Sequence, residues 1–525
     1  MIKKKENILL GVFWVAVSIF LVACSYYSSA HYVGDTALYA QIVNNIAYTG
    51  KAESNIYANT QDHIDRGIAA MSVDERLASE EAFTPPVEQS RNILRFHACF
   101  ILYLLAPLCY FMSSFTCVTI AQSVALALSL LFVILLMREK KIPVPVIGFT
   151  CLLLVSHPGW SLPAVYGAFY PERLFMATGM YLIWSCDKEK FSKLHFIISA
   201  ILCLMVGERG ALYAGMFILA HTVFFWKERK EYRFFKLATG LCLVLYTGIM
   251  MKFILANIYY SDLGSKLNIM SYLAVATNRQ KVALFLLINV AFFAIIALLD
   301  WRAFIIGCAS MIPNLLYDVG GAEKIGWSLH YHVFYFVFLM WAVARGSTKL
   351  YVILEKRLKR KKMSCISTLA VLSIFIGLIS LIVPSDLSID FSKNNVKNNI
   401  IFNGANCIKT TYLQGGKELR EKYKEFIQSN IPEGSQVTAV EGAMVELSKQ
   451  QIYIYPVGID TADAAVLVYT MNNEEPVFGG SVVYGSAEEC KRFDEQVVLK
   501  MKQLGYDFEN AKLYPAYGVA IVEKK

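Results

Sequence analysis

The chain has 525 residues, of which 56% are apolar and only 17% charged, and its mean hydropathy is +0.45. Such a composition excludes an ordinary soluble domain and places most of the chain in lipid. The net charge of +9 does not point to nucleic acid, because the basic residues gather in clusters between apolar segments, where orientation in a membrane accounts for them.

A helix crossing about 30 Å of hydrocarbon needs roughly 20 mainly apolar residues. In chain order the segments that approach this length are Ile8–Tyr27, Thr116–Met137, Ile142–His157, Leu174–Cys186, Leu194–Val206 and Ala211–Trp226, followed by Phe235–Leu255, Val282–Leu299, Phe304–Leu316, Val333–Ala344 and Cys365–Val383. The expected fold class is therefore mainly α, a polytopic membrane helical bundle of about eleven transmembrane helices, with a C-terminal soluble α/β domain. Phe100–Met112 is apolar but short and contains Pro107, which suits an interfacial or re-entrant piece with both ends on the outer side.

The basic clusters Lys3–Lys5, Arg138–Lys141, Lys188–Lys193, Lys227–Lys236 and Arg345–Lys362 all fall on one side if the spans alternate. The positive-inside rule makes that side cytoplasmic. The expected location is the cytoplasmic (inner) membrane, with the N-terminus inside and the C-terminal domain outside. The expected domains are 1–384, transmembrane with a large first outer loop over 28–97, and 385–525, extracytoplasmic. A second reading of the N-terminus is a cleaved lipoprotein signal ending at Leu21-Val22-Ala23-Cys24; the spanning length of the run favours a retained entry helix.

Within the outer loop, Asp35 begins a segment in which Leu38, Ile42 and Ile46 repeat every four residues, as in a membrane-parallel amphipathic helix. The polar stretch that follows, Lys51–Ser90, contains the helix-compatible Ser72–Ala82 and ends at Pro85-Pro86. It is a candidate lid. In the tail, Leu419, Tyr423, Phe426 and Ile427 predict a helix over Gly416–Asn430, stopped by Ile431-Pro432-Glu433-Gly434. Strands are expected at Gln436–Val440, Gln451–Tyr455 and Ala464–Tyr469, a helix at Glu488–Leu504 and a hairpin over Leu513–Glu523. Gly479-Gly480 reads as a turn and not as a phosphate loop.

Most of the cysteines lie in or beside apolar segments and behave as small hydrophobes. Cys407 and Cys490 are the exceptions, and a disulfide between them is an open expectation for an exported domain. No cofactor is expected. A divalent metal is conceivable, but no ligand spacing supports it.

Charged groups at membrane depth cost about 2.5–3.5 kcal/mol each at a helix centre and tend to line cavities. The candidates are His97, Glu172, Arg173, Glu208, Arg209, His330 and His332, each placed by this topology at the outer end of a span. With Asp35 they would share one face of the membrane. Such a set fits an enzyme taking a sugar from a lipid phosphate, with arginines holding the phosphate and a carboxylate deprotonating the acceptor. The plainer readings are structural ion pairs for Glu172-Arg173 and Glu208-Arg209, packing for His330 and His332, and helix capping for Asp35.

Asp35, Leu104-Leu105-Ala106-Pro107-Leu108, Tyr170-Pro171-Glu172, Glu208-Arg209-Gly210-Ala211-Leu212-Tyr213, Pro313-Asn314-Leu315-Leu316, His330-Tyr331-His332 and Ile431-Pro432-Glu433-Gly434-Ser435-Gln436-Val437 occur in this order. The chain thereby resembles a family of prokaryotic multi-pass membrane proteins of unknown function grouped with the GT-C glycosyltransferases. The resemblance implies a GT-C-like bundle, a polyprenyl-phosphate-linked sugar donor and an acidic base in the first outer loop, here Asp35. Arg173 and Arg209 would bind phosphate, and Glu172, Glu208, His97, His330 and His332 would support the site. The implied partners are that donor, a glycan, lipid or protein acceptor, and the bilayer. The alternatives are a lipid-linked glycan transporter or flippase, and a non-catalytic cell-envelope assembly or binding protein.

Overall fold

The computed structural model describes residues 2–26, 34–157, 159–160, 169–228, 230–255, 283, 286, 292–312, 330–357, 361–382, 409, 413–472, 474–480 and 486–525. Among the described residues it is mainly helical (69%) with a small C-terminal sheet. The chain divides into two compact units. The first is drawn from Met1–Ser28, Leu94–Ile101 and Thr119–Ile408, the second from Ser29–Ile93, Leu102–Val118 and Lys409–Lys525.

The first unit is a set of packed apolar helices: Ile2–Tyr26, Ser114–Glu139 (from residue 119 onward), Val144–Val155, Phe175–Asp187, Lys193–Val206, Glu208–Phe224, Arg233–Ile249, Trp301–Ala309, Val333–Arg357 and Lys361–Ile382. Where the apolar runs fall on described residues, helices stand at their positions, because those runs are rich in Leu, Ala, Ile and Met; most of Val282–Leu299 before residue 292 and the end of Phe304–Leu316 lie outside the described residues. The count of about eleven crossings is corrected. Among the described residues four helices are long and apolar enough to span: Glu6–Cys24, Ser114–Glu139, Arg233–Ile254 and Val333–Glu355. Val144–Val155 and Lys193–Val206 are apolar but shorter. At 1.5 Å of rise per residue such helices fall short of a hydrocarbon core about 30 Å thick.

Two of the spanning helices leave an apolar face uncovered within the molecule. On the first, Ile8, Leu9, Val12 and Ile19 are exposed; on the third, Leu241, Leu245, Ile249 and Phe253 are. A water-facing surface does not carry such stripes, whereas lipid requires them. Close helix approach depends on glycine. A Cβ added at Gly215 would stand 2.8 Å from the Gly240 carbonyl oxygen, and one at Gly346 would collide with the backbone of Ile296. Trp14 Nε1 donates to the Ala127 carbonyl at 2.7 Å, and Arg138 donates to Asn7 at 2.6 Å, which ties the first helix to the second spanning one.

The second unit combines the first loop with the tail. Its helices include Gly34–Thr49, Asn55–Asp65, Val73–Ala78, Gly416–Asn430 and Ala487–Gln503. Strands β1 (Glu53–Ser54) and β2 (Arg91–Asn92) close the loop as an antiparallel pair. Strands β3 (Gln436–Ala439), β4 (Gln451–Ile454), β5 (Ala464–Asn472), β6 (Glu475–Gly479), β7 (Lys512–Tyr514) and β8 (Val519–Glu523) form one mixed sheet in the order β4-β3-β5-β8-β7, with β6 also on β5. The β3 pairings are parallel and the others antiparallel. Val466, Leu467, Ala520 and Val522 are fully buried in its centre, or within 1% of it.

Division of the chain at residue 384 therefore does not reproduce the observed grouping. The tail is not a unit by itself: Asn55 Nδ2 donates to the Ile452 carbonyl of β4 at 2.8 Å, Gly458 N donates to the Phe83 carbonyl at 2.7 Å, and Arg492 pairs with Asp74 at 2.8 Å. The expected Ser72–Ala82 helix forms as Val73–Ala78 and a 3-10 turn, started by a reciprocal Ser72/Glu75 cap. Gly479 ends β6, a strand that the turn reading missed. Within Phe100–Met112 the helical pieces are Leu102–Leu105 and Ala106–Tyr110, neither long enough to cross. Cys407, on which the expected disulfide with Cys490 depends, lies outside the described residues.

Candidate functional site: a buried acid, arginine and histidine cluster

The cluster in the first unit is built at a helix corner. Gly207 adopts φ +154°, in the region that favours glycine, and so lets helix Lys193–Val206 turn directly into helix Glu208–Phe224. Glu208 then occupies the first turn of the new helix, where the backbone dipole favours a carboxylate. Both of its oxygens are engaged. Oε1 lies 2.9 Å from His97 Nδ1, and Oε2 accepts from the Ala98 amide at 3.0 Å. With Ile101 N donating to the Met205 carbonyl at 2.7 Å, these bonds fix residues 97–101 against the helix corner.

Pro171 begins a 3-10 turn, Pro171–Leu174, that buries Glu172 and Arg173 just before helix Phe175–Asp187. The sparing of an amide donor makes proline suitable at such a start. Glu172 Oε1 lies 3.8 Å from His330 Nε2. Tyr170 stacks on His330 at 3.9 Å between ring centroids, and the Arg173 guanidinium lies 5.7 Å from the Tyr170 ring. The Arg209 guanidinium lies 4.7 Å from the Tyr331 ring, and Tyr331 in turn packs against His330 at 3.8 Å.

Burial raises the Glu172 carboxyl above its usual range. His97, its own backbone hydrogen bond and Arg209 oppose the rise, and Glu208 adds to it. Burial also lowers His330 well below the usual histidine value, assisted by Arg173, Arg209, His97 and His332. A neutral His330 makes the 3.8 Å approach to Glu172 a polar contact and not an ion pair. Glu172 Oε2 and His330 Nδ1 are buried without a hydrogen-bond partner among the described residues. An unpaired buried carboxylate oxygen is costly, and a donor supplied by a substrate would satisfy it.

The structure brings His97, Glu172, Arg173, Glu208, Arg209 and His330 near one another. His332 is fully buried, and its Nε2 donates to the Gly159 carbonyl at 2.9 Å. Asp35 belongs to the second unit, where it is exposed in the first turn of helix Gly34–Thr49. Among the described residues no group of three or more His, Cys, Asp or Glu side chains is arranged to hold a metal ion.

Residues 35–479 match the model of the family described as Predicted membrane protein (DUF2079). The chain belongs to that family. None of the curated proteins compared matches it.

This DUF2079 protein contains a second buried ionic network that the sequence reading missed. Arg345 Nη1 holds Asp187 at 2.7 and 2.8 Å, and its Nε donates to Asp300 at 2.6 Å. Trp341 Nε1 adds 3.2 Å to Asp187, and Lys349 lies 3.2 Å from Asp300. In sequence, Arg345 stands within the orienting basic cluster Arg345–Lys362. The signal that marks it is position: unlike its neighbours in that cluster, it follows directly on the apolar run ending at Ala344, as Asp187 and Asp300 follow theirs.

Proposed function

We propose that the protein is a GT-C-type membrane glycosyltransferase, which moves a sugar from a polyprenyl-phosphate-linked donor to a glycan, lipid or protein acceptor. In this reading transfer occurs at the outer face of the cytoplasmic membrane, the N-terminus is cytoplasmic and the C-terminal segment lies outside. The observation that carries the reading is the cluster of buried Glu172, Arg173, Glu208 and His330 with half-buried Arg209 and His97 among apolar helices. Ionisable groups gathered in an apolar helical unit line a substrate site more readily than they stabilise a fold.

Arg173 and Arg209 would bind the phosphate that links sugar to lipid, where a planar guanidinium can donate two parallel hydrogen bonds. Asp35 would take the proton of the acceptor hydroxyl. As that oxygen bonds to the anomeric carbon, the bond from carbon to phosphate oxygen breaks, and the phosphate leaves with the electron pair. The arginines neutralise the charge that develops there, and Asp35 passes its proton to water. Glu208 is spent on positioning His97 and Ala98. Glu172, with an open oxygen beside a neutral His330, would accept a hydrogen bond from a sugar hydroxyl.

Lipid-linked and surface glycans are to be compared between cells with the wild type, Asp35→Asn, Arg209→Ala and a deletion, with membrane levels of each variant measured. The reading requires the deletion and both variants to accumulate the lipid-linked donor and to lack one glycan. Unchanged glycans in the deletion would overturn the glycosyltransferase reading. A normal profile in a correctly inserted Asp35→Asn would overturn the base assignment alone.

A further inference from the structure

The second unit carries a polar groove that none of the chemistry above uses. It encloses about 690 Å³, and an adjoining lobe of about 480 Å³ shares Asn44, Tyr48, Glu433, Ser448, Lys449 and Gln450 with it. Its wall is dominated by carboxamides, among them Gln41, Asn44, Asn45, Asn55, Gln450 and Gln451.

Two of these amides are held with an oxygen unspent. Asn55 and Gln450 are each only 7% exposed. Asn55 Nδ2 donates to the Ile452 carbonyl at 2.8 Å, and Gln450 Nε2 donates to the carbonyls of Ile431 and Pro432 at 3.3 and 3.4 Å. Rotating either amide would set oxygen against carbonyl oxygen, so the orientation is fixed. Asn55 Oδ1 and Gln450 Oε1 are then buried with no hydrogen-bond partner among the described residues. Gln41 rigidifies the floor: its Oε1 accepts from Ser54 Oγ at 2.6 Å and from Asn55 N at 3.2 Å.

The missing partner is a donor, and the groove's charge says of which kind. Glu433 pairs with Lys449 at 2.5 Å, and Lys424 and Glu446 contribute one charge of each sign to the adjoining lobe. A balanced groove has no preference for a phosphate or a carboxylate. Tyr48 offers an exposed ring at the rim, set edge to face against Tyr110 at 5.5 Å, and such a ring packs on the C–H face of a pyranose. Addition of a peptide strand is blocked, because Asn55 and Asn59 already occupy the Ile452 carbonyl on the edge strand β4.

We infer that the groove lined by Asn44, Tyr48, Asn55 and Gln450 binds a neutral oligosaccharide, its carboxamides hydrogen-bonding to sugar hydroxyls and Tyr48 stacking on a ring. This goes beyond the glycosyltransferase reading and is tested without turnover. The full-length protein in lipid nanodiscs is titrated by ligand-observed NMR with maltotetraose, cellotetraose, α1,6-mannotetraose and tetra-N-acetylchitotetraose. Tetragalacturonate and tetraglycine serve as acidic and peptide comparators. At least one neutral tetrasaccharide is expected to bind in the millimolar range or tighter, and ahead of both comparators. Tyr48→Ala and Asn44→Ala, both at solvent-accessible positions, should each weaken it about tenfold, whereas Val87→Ala, fully exposed and outside the groove, should not. The inference is overturned if none of the four binds, if a comparator binds as tightly, or if the two groove variants keep both wild-type melting temperature and wild-type affinity.

Discussion

Replacing Arg345 by Met tests whether the Asp187–Arg345–Asp300 network holds the first unit together. The side chains of Asp187 and Asp300 are 3% and 1% exposed, so neither carboxylate has water to fall back on. Without the guanidinium, Asp300 keeps Lys349 at 3.2 Å, but Asp187 is left with Trp341 Nε1 at 3.2 Å and His221 at 3.8 Å. Breaking a buried pair by removing one partner costs about 3–5 kcal/mol, because the surviving charge stays buried. Asp187→Asn removes that charge in advance, and the double variant is expected to be less unstable than the sum of the singles by about 2–3 kcal/mol. Equilibrium unfolding in mixed detergent, followed by tryptophan fluorescence, measures the cycle. Additivity within about 0.5 kcal/mol would refute the coupling read from the 2.7 and 2.8 Å bonds.

Glu208→Ala should release residues 97–101 from the helix corner. Hydrogen exchange at the Ala98 amide is expected to accelerate about tenfold to a hundredfold, in keeping with about 1.5–3 kcal/mol for a hydrogen bond to a charged group, and unchanged exchange would contradict the anchoring role. In the second unit, burial, Arg66 and Arg76 lower His63 from 6.5 to about 4. The folded state thus binds fewer protons than the unfolded one between those values. Stability is full above pH 6.5, falls as pH drops toward 4, and levels off below it, by at most about 3 kcal/mol. His63→Gln should remove that slope from acid unfolding curves; a slope that persists would assign it to other groups.

Local elements were legible because their signals are local. Helix Gly416–Asn430 and the runs behind β3, β4 and β5 carry periods of 3.6 or 2 and end on turn residues, and they form within a few residues of their expected limits. Helix Asn55–Asp65 was not legible, since Asn, Thr, Gln and Asp dominate it and its mean pattern is that of a loop. Its reason for existing is non-local: Asn55 and Asn59 complete the hydrogen bonding of edge strand β4, almost 400 residues later in the chain. The same pairing explains why a boundary placed by composition at residue 384 separated segments that fold as one unit. Apolar runs likewise locate helices but not crossings, for a run of 12 to 14 residues such as Val144–Val155 or Lys193–Val206 is equally compatible with lying inside a packed bundle.

The two ionic clusters of the first unit show what distinguishes a site from a support. In sequence they are alike, each composed of charged residues at the ends of apolar runs. In space, Asp187 and Asp300 are faced by Arg345 and Lys349, so that each carboxylate has a cation within 3.2 Å. Glu172 and His330 instead lie 3.8 Å apart with Oε2 and Nδ1 buried and unmatched among the described residues. A protein that only needed rigidity there would be better served by apolar side chains of similar volume. Retained open valence beside two arginines is what a substrate-binding centre requires, and it is the same feature, in neutral form, that Asn55 and Gln450 present in the second unit. Close pairing with a cation, more than the presence of charge, is therefore the property that separates Asp187 and Asp300 from Glu172 and His330.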